Sequence, residues 1–309
     1  MKTSCLINNF NYGRYVTQAV ESALSQTEPF DEIIVVDDGS TDDSLEVLAS
    51  HYANHPRVRV ISKANQGQLS CFNVGFAAAT GDLLFFLDSD DVYEREYLAR
   101  AIRTYEEFTT CDFLFCALMK FGSEGGLIEP YPSTRSMGYS AFSARYVRKW
   151  IGAPTSAISM RRSALERILP LPESFYSDWK SRADDCLVLG ASLIGCCKVY
   201  LAETLVKYRL HGDNGFAGKK FSNFDYRLRR LNATGMINLH FLMGLSYINH
   251  THLLLLEFSS LAERSLRDLF TYLRIVRLIH APFFTKSSLV LRLLVSYLEY
   301  LKNRWNVMS

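Results

Sequence analysis

Short apolar runs alternate with amphipathic segments through the first half of the chain. Four runs rich in β-branched and aromatic residues predict strands at 4–8, 32–37, 58–62 and 82–87. The segments that follow each run carry apolar residues at helical spacing and predict helices at 15–25, 43–51, 68–79 and 94–107. Strands that alternate with helices through short connections are typical of an α/β fold. We therefore expect a mostly parallel, Rossmann-like central sheet flanked by helices.

The pattern is less regular in the second half. It predicts a strand–turn–strand around GSEGG, with strands at 112–120 and 127–129. It also predicts a helix at 181–193 and a long strand at 198–209. From about Phe221 the chain is leucine-rich at helical spacing. We therefore expect one domain over residues 1–220 and a helical C-terminal extension over 221–309.

Composition changes this picture only at the C-terminus. The chain has 309 residues, 48% apolar and 21% charged, which is ordinary for a globular protein. Its net charge is +2, yet residues 264–309 hold eight Lys or Arg and two acids, which makes that segment +6 and the remainder −4. Such asymmetry predicts that the C-terminal segment has a partner of its own.

The cysteines and the N-terminus predict a cytoplasmic protein. The seven cysteines form no CxxC pair and several lie in apolar runs, which is typical of buried thiols in a reducing compartment. Lys2 is soon followed by the polar sequence NNFNYGR, so no signal peptide is expected. We also expect no nucleic-acid partner.

Two C-terminal stretches raise the question of membrane contact. Residues 231–256 contain no Asp, Glu, Lys or Arg, but their Asn and His side chains favour a soluble or interfacial helix over a spanning one. Residues 287–305 are amphipathic, and one face carries Val290 with Leu291, Leu294, Leu298, Leu301 and Trp305. That side of the helix would bind the anionic inner surface of the cell membrane, or pack on the domain or on a second subunit. Both readings stay open.

Two apolar runs end abruptly in acidic side chains. FFLDSDD, residues 85–91, contains Asp88, Asp90 and Asp91, and VVDDGSTD, residues 35–42, contains a doubled Asp. Carboxylates at the ends of buried strands are costly unless positive charge neutralises them. Mg²⁺ and Mn²⁺ prefer oxygen ligands and leave room for phosphate oxygens. A purely structural role as helix caps is the alternative, since Asp is a favoured cap.

Polar residues follow four predicted strands of the sheet, at 8–11, 37–38, 65–68 and 88–91. In parallel α/β sheets, ligands bind outside the carboxyl ends of the strands. The sequence therefore predicts one polar crevice at that edge.

These motifs, taken in order, resemble a known enzyme family. NNFNYGRY, SALSQT, EIIVVDDGSTDDS, NQGQLSCFNVGFAAATGD and FLDSDD look like the amino-terminal half of the family 2 glycosyltransferases, which have the GT-A fold. The match is close over residues 4–91. It continues loosely through APTSAISMRRSAL and RADDCLVLG to YRLHGDN, near residue 214. Two departures are Asn8-Asn9-Phe10-Asn11, where the family has a Pro-Thr-Tyr-Asn type of sequence, and Asp184-Asp185, where it has Glu-Asp.

The resemblance implies a role for each matching position. The nucleotide-binding residues are expected to be Asn8, Phe10, Asn11, Asp38, Gln68, Asp88 and Ser89. The expected metal ligands are Asp90, Asp91 and His211. Asp185 matches the catalytic base, and the loosely matching stretches place Thr155, Ser156 and Asp184 near the acceptor. Without the resemblance, Asp185 would be interpreted as an acid at a helix start and His211 as a loop histidine.

The function these expectations describe is inverting glycosyl transfer. A UDP-sugar would be the donor, Mn²⁺ or Mg²⁺ the cofactor, and a glycan or lipid-linked hydroxyl the acceptor, in cell-surface polysaccharide assembly. An ionised Asp can take the acceptor proton as the glycosidic bond forms. Two alternatives are a sugar-phosphate nucleotidyltransferase and an inactive nucleotide-binding scaffold. Oligomerisation stays open.

Overall fold

The computed structural model describes residues 1–212, 224–242 and 247–308. Ten strands form one sheet: β1 (Thr3–Asn9), β2 (Glu32–Asp37), β3 (Val58–Ser62), β4 (Leu83–Asp88), β5 (Val92–Tyr93), β6 (Phe113–Gly122), β7 (Gly126–Ile128), β8 (Arg135–Gly138), β9 (Ile158–Arg161) and β10 (Lys198–Leu210). This confirms the predicted α/β class with an open central sheet.

Helices cover this sheet and continue beyond it. Seven α-helices precede the last strand: α1 (Gly13–Leu24), α2 (Ser44–Tyr52), α3 (Gln68–Ala78), α4 (Tyr97–Glu107), α5 (Ala141–Val147), α6 (Arg162–Leu165) and α7 (Asp184–Leu193). In the part of the chain described after that strand, four more follow: α8 (Phe224–Leu242), α9 (Tyr247–Ser259), α10 (Leu266–Leu278) and α11 (Phe283–Met308). The helical C-terminal region is therefore present as predicted. The helix expected to start at 94 begins at Tyr97, because Val92 and Tyr93 pair with β10 instead.

The sheet is mixed. Its order is β3-β2-β1-β4-β9-β6-β10-β5, and the first four strands are parallel, as are β6 and β10. The short strand β9 runs antiparallel between β4 and β6, which the irregular pattern of its sequence did not predict. The parallel half is the Rossmann-like part of the fold. It brings the carboxyl ends of β1, β2, β3 and β4 to one edge.

The parallel strands are apolar on both faces because helices cover both sides. Ile33 to Val36 of β2 and Leu83 to Leu87 of β4 are buried throughout. Apolar character ends only where the strands emerge at the carboxyl edge, at Asp37 and Asp88.

The C-terminal helices contribute to two cores. Ala233, Ile237 and Phe241 of α8 pack into the core of the sheet domain. Helices α9 to α11 form a second apolar cluster with Ala141 and Phe142 of α5. The boundary at residue 220 stays a prediction.

The window 231–256 falls on α8 and α9, with 243–246 outside the described residues. Within the described parts of the chain, the helices are too short or too polar to cross a membrane.

Helix α11 has two apolar faces. The inner face, with Leu289, Leu293 and Tyr297, is buried in the second cluster. Of the face that the sequence pattern predicted, Val290 lies against this cluster, and the other side chains are exposed: Leu291, Leu294, Leu298, Leu301 and Trp305. Helix α11 therefore packs on the chain's own helices through its inner face, while a membrane or a second subunit stays open as the partner of its exposed face.

Candidate functional site

The polar crevice predicted at the strand ends is present. Asn8 lies beside Asp88 in register, and the following residue, Asn9, lies beside Asp37. Next to them is a cavity of about 440 Å³. The predicted site residues that line it are Asn8, Phe10, Asp38, Gln68, Asp88, Asp90, Thr155 and Asp184. Residues separated by up to 176 positions along the chain thus share one pocket.

Three carboxylates meet at one side of this cavity. One side-chain oxygen each of Asp88, Asp90 and Asp91 lies within 4.8 Å of the other two. Burial, with the negative charge of Asp90 as the next cause, raises the pKa of Asp88 to about 7. Burial also raises the pKa of Asp90, and raises that of Asp91 well above its ordinary value. The protein therefore gathers negative charge here without fully neutralising it.

Asp88 is held by two amides. Its Oδ1 accepts a hydrogen bond from Asn8 Nδ2 at 2.9 Å and another from Gln68 Nε2 at 2.8 Å. The side-chain oxygen of Asn8 and the hydroxyl of Ser89 are buried and have no hydrogen-bond partner among the described protein atoms. Unpartnered buried oxygens beside carboxylates fit a site that a hard cation or a polar ligand completes.

Asp91 lies deeper than the other two acids. Its Oδ2 accepts from the Ser156 hydroxyl at 2.5 Å, and its Oδ1 accepts from the backbone N–H of Arg209 at 2.8 Å. The Ser156 hydroxyl also accepts from the N–H of Asp88 at 3.1 Å. Ser156 is fully buried and supports the acidic cluster, so it offers no surface to an acceptor. Thr155, its neighbour, does line the cavity.

His211 joins the acidic cluster from the far end of β10. Its Nε2 lies 3.0 Å from Asp90 Oδ2. The ring packs against Tyr12 and Tyr15, with centroid distances of 5.4 and 4.9 Å. Arg209 Nε donates to the backbone carbonyl of Asp90 at 2.7 Å, which ties the strand end to the cluster. The predicted set of Asp90, Asp91 and His211 is therefore contiguous.

Asp38 organises the loop that follows β3. Its carboxylate accepts from Lys63 Nζ at 2.5 Å and from the N–H groups of Gln66 and Gly67 at 3.0 and 2.7 Å. Gly67 has φ 93°, and a Cβ there would lie 2.5 Å from Lys180 Cα, so the loop requires glycine. Asp38 is buried yet reaches the cavity wall.

The remaining predicted nucleotide residues occupy different positions. Phe10 is exposed at the cavity wall. Asn11 lies off the wall, and its Oδ1 accepts from the N–H of Thr41 at 2.7 Å, which links the loops after β1 and β2. Ser89 is fully buried behind Asp88.

The paired acids at the start of α7 face different surroundings. Asp184 lines the cavity, and burial together with the charges of Asp185 and then Asp88 raises its pKa to about 7. Asp185 lies behind it. Its Oδ1 accepts from Trp150 Nε1 at 2.8 Å, and its Oδ2 is ion-paired with Arg182 at 3.1 Å and with Arg230 of α8.

Gln68 connects the two acidic groups. Its Nε2 donates to Asp88, and its Oε1 accepts from the N–H of Ala183 at 2.9 Å, directly before the paired acids. Nε2 also lies 3.2 Å from the hydroxyl of Thr155. One side chain thus fixes the distance between the acidic cluster and α7.

Comparisons with known proteins agree with this architecture. The sequence matches the profile "Glycosyl transferase family 2" over residues 4–169. An uncharacterised glycosyltransferase of Nostoc sp. is 35% identical over 219 residues, or 69% of this chain and 66% of that protein. The chain belongs to glycosyl transferase family 2. Chondroitin synthase of Escherichia coli is 32% identical over 213 residues, which are 68% of this chain and 29% of that enzyme.

A solved structure supports the fold of this family 2 chain. TarS of S. aureus, residues 1–349, in complex with UDP-GlcNAc, matches with a TM-score of 0.60 at 18% identity. The match covers 98% of this chain and 92% of that one. At this identity the likeness concerns the fold, and it confirms the predicted GT-A class.

The family 2 profile ends before three of the predicted site residues. It includes the acidic cluster and Asp38, whereas Asp184, Asp185 and His211 lie beyond residue 169. The structure nevertheless brings all three to the same cavity or directly behind it.

Three site residues escaped the sequence analysis. Lys63 follows β3 directly, at the sheet edge that carries the acidic residues. Its position in the sequence could have indicated a partner for Asp38. Trp150 lies in an irregular stretch without periodicity. Arg230 reaches Asp185 from 45 positions away in a helix assigned to the C-terminal region, and no sequence pattern connects the two.

Proposed function

We propose that this chain is a metal-dependent, inverting glycosyltransferase that moves a sugar from a UDP-sugar to a hydroxyl of a glycan or lipid-linked acceptor. The observation that carries the proposal is the arrangement of two acidic groups around one cavity. Asp88, Asp90 and Asp91 form the first, Asp184 and Asp185 the second, and Gln68 links them.

In this proposal the donor nucleotide lies along the strand ends. Asn8, Asp38 and Phe10 contact the nucleoside, the first two by hydrogen bonds and the third by its exposed ring. Uridine diphosphate is the nucleotide we favour, because the structurally similar TarS was solved with UDP-GlcNAc and with UDP.

Asp88, Asp90 and His211, with Asp91 beneath them, would hold Mn²⁺ or Mg²⁺. The oxygen-rich donor set and the raised carboxylate pKa values fit such a cation. When bound, the cation offsets the negative charge that develops on the leaving diphosphate.

Asp185 is the proposed base. The acceptor oxygen forms a bond to the anomeric carbon as the bond to the diphosphate breaks, and the acceptor proton passes to a carboxylate oxygen of Asp185. Both oxygens already accept contacts, from Trp150 on one side and from Arg182 and Arg230 on the other. Each carboxylate oxygen has two lone pairs, so Oδ1 can take the acceptor proton while Trp150 Nε1 stays bonded to it.

The biological context we propose is cell-surface polysaccharide assembly. Relatives named chondroitin synthase and hyaluronan synthase, the latter of Pasteurella multocida and 29% identical over 211 residues, support this context. An anionic membrane surface is the second partner we propose, through the basic segment 264–309 and the exposed face of α11.

The test is sugar transfer with Mn²⁺, followed as UDP release from a panel of UDP-sugars and acceptor glycosides. Asp185→Asn keeps the shape and removes the basic oxygen, so we predict a fall in kcat of about a hundredfold or more. Glu106→Gln, an exposed acid on α4, is the matched control and should leave the rate unchanged. Equal rates for Asp185→Asn and wild type would remove Asp185 from the mechanism.

A further inference from the structure

Trp150 is a large aromatic side chain on the wall of a polar cavity. It is 41% exposed, and its indole Nε1 donates to Asp185 Oδ1 at 2.8 Å. Indole is mostly apolar with one polar atom, so this orientation leaves its apolar ring surface as the part available to a ligand.

The segment that carries Trp150 is held from one side by a buried lysine. Lys198 is fully buried, and its Nζ donates to the carbonyl oxygens of Ile151 and Val188 and to the hydroxyl of Ser192, each at 2.8 Å. All three acceptors are uncharged. Burial lowers the pKa of Lys198 to about 7, which shows how unfavourable this position is for a cation. Its contact with Ile151 fixes the residue directly after Trp150.

A buried acid holds the same segment from the other side. Glu257 of α9 is fully buried, and its carboxylate accepts from the N–H groups of Phe142 and Ser143 at 2.7 and 2.8 Å and from the Tyr272 hydroxyl at 2.7 Å. It thereby anchors α5, which ends at Val147, three residues before Trp150. Lys198 and Glu257 thus hold the chain on both sides of Trp150, at Ile151 after it and at the start of α5 before it.

We propose that Trp150 is an acceptor-binding platform, whose indole face packs against the apolar C–H face of the acceptor pyranose while its Nε1 orients Asp185. This inference rests on the proposed glycosyl transfer. The acceptor is favoured over the donor as the ligand, because the base must touch the acceptor hydroxyl and Trp150 is bonded to the base. The ligand class is a pyranoside with one ring face free of axial hydroxyl groups.

Two substitutions separate the ring from its N–H group. Trp150→Phe keeps an aromatic face and removes the hydrogen bond, whereas Trp150→Ala removes both. The platform predicts that Trp150→Ala raises the acceptor KM by about tenfold, which corresponds to a lost aromatic contact of about 1.4 kcal/mol. Trp150→Phe should keep the acceptor KM within about threefold of wild type and lower kcat, because Asp185 loses its orienting donor.

The control separates this inference from the proposed function. UDP affinity with Mn²⁺, measured by calorimetry, should be the same in wild type and in both variants, and their unfolding midpoints should agree. Phe224→Ala, which removes a 74% exposed aromatic side chain of α8, should leave every kinetic value unchanged. If wild type does not bind UDP in this measurement, the result would contradict the proposed function itself.

A binding measurement tests the platform without catalysis. The chain has three tryptophans, and Trp179 is fully buried. In a Trp305→Phe background, titration with methyl β-glycosides of glucose, galactose, N-acetylglucosamine and glucuronate should shift the emission of Trp150 to shorter wavelength. The shift should vanish in Trp150→Phe. Absence of a shift with every glycoside, or an acceptor KM raised equally in the Phe and Ala variants, would overturn the platform.

Discussion

Single side chains at the carboxyl edge of the sheet have partners that their positions in the sequence do not show. Lys63 and Asp38 form a buried ion pair at 2.5 Å, with side chains 13% and 5% exposed. The carboxylate also receives two backbone N–H groups of the loop 65–68. Lys63 therefore supports Asp38, which lines the proposed nucleotide site.

Lys63→Met should destabilise the protein by about 3 kcal/mol, because Asp38 would keep a buried charge without its cation. Lys207→Met is the matched control. Its pair with Glu94 has a similar distance of 2.8 Å but is 43% and 40% exposed, so its removal should change the free energy of unfolding by less than about 1 kcal/mol. Urea unfolding measures both. Equal effects would show that burial does not decide the strength of these pairs.

For single residues, the sequence predicted the positions of the acidic side chains better than the side chains that contact them. Asp38, Asp88 and Asp90 follow apolar strands and were predicted at one edge, since parallel strands bring their ends together. Trp150 and Arg230 were missed because their contacts with Asp185 depend on loops and on a C-terminal helix whose packing has no local pattern.

Some elements of the sheet domain were predicted within a few residues of their ends. Strand β4 and helix α3 are examples, because both consist mainly of buried residues between clear breaks in the sequence. Strand β9 was missed, since its four residues gain stability from β4 and β6 and not from their own pattern. Helix α11 was predicted as a helix. The sequence did not show which of its apolar faces is buried, because it has two, one buried and one exposed.

The exposed face of α11 belongs with the membrane proposal. At about 100° per residue, Leu291, Leu294, Leu298, Leu301 and Trp305 fall within an arc of about 80°. The segment 264–309 that contains this face has a net charge of +6, so an isologous contact between two copies would bring positively charged segments together. An anionic bilayer satisfies both the apolar face and the charge.

The double variant Leu298→Glu with Trp305→Glu should therefore weaken binding to vesicles that contain phosphatidylglycerol. We expect the affinity to fall by about tenfold or more, because two large apolar groups would no longer be buried in the membrane. Binding to neutral phosphatidylcholine vesicles should be weak for both proteins, and added salt should reduce the difference. A co-sedimentation assay measures this. Unchanged vesicle binding, with loss of a dimer in ultracentrifugation, would favour a second subunit instead.

For the molecule as a whole, the acidic cavity links pH, metal and stability. The pKa values of Asp88 and Asp184 are raised to about 7, and those of Asp90 and Asp91 are raised as well. A carboxyl group with a raised folded-state pKa binds more protons in the folded than in the unfolded state. Folding stability is therefore lost as pH rises from the unfolded value, about 4, through the folded value.

Metal-free protein should thus show a falling unfolding midpoint between about pH 5 and pH 7.5. Mn²⁺ should raise the midpoint most at the upper end, where the carboxylates are ionised and free to bind it. Asp88→Asn should flatten the metal-free profile. Thermal unfolding at several pH values, with EDTA or with Mn²⁺, measures this. A metal-free midpoint that rises across the same window would contradict the electrostatic account.

The central claim is that a cation held by Asp88 and Asp90 carries a nucleoside diphosphate in this cavity. Calorimetric titration of UDP into the protein tests it most directly. We predict binding in Mn²⁺, affinity lower by at least about tenfold in EDTA, and loss of the metal-dependent part in Asp88→Asn with Asp90→Asn. Equal UDP affinity with and without Mn²⁺, in wild type and in the double variant alike, would contradict the claim.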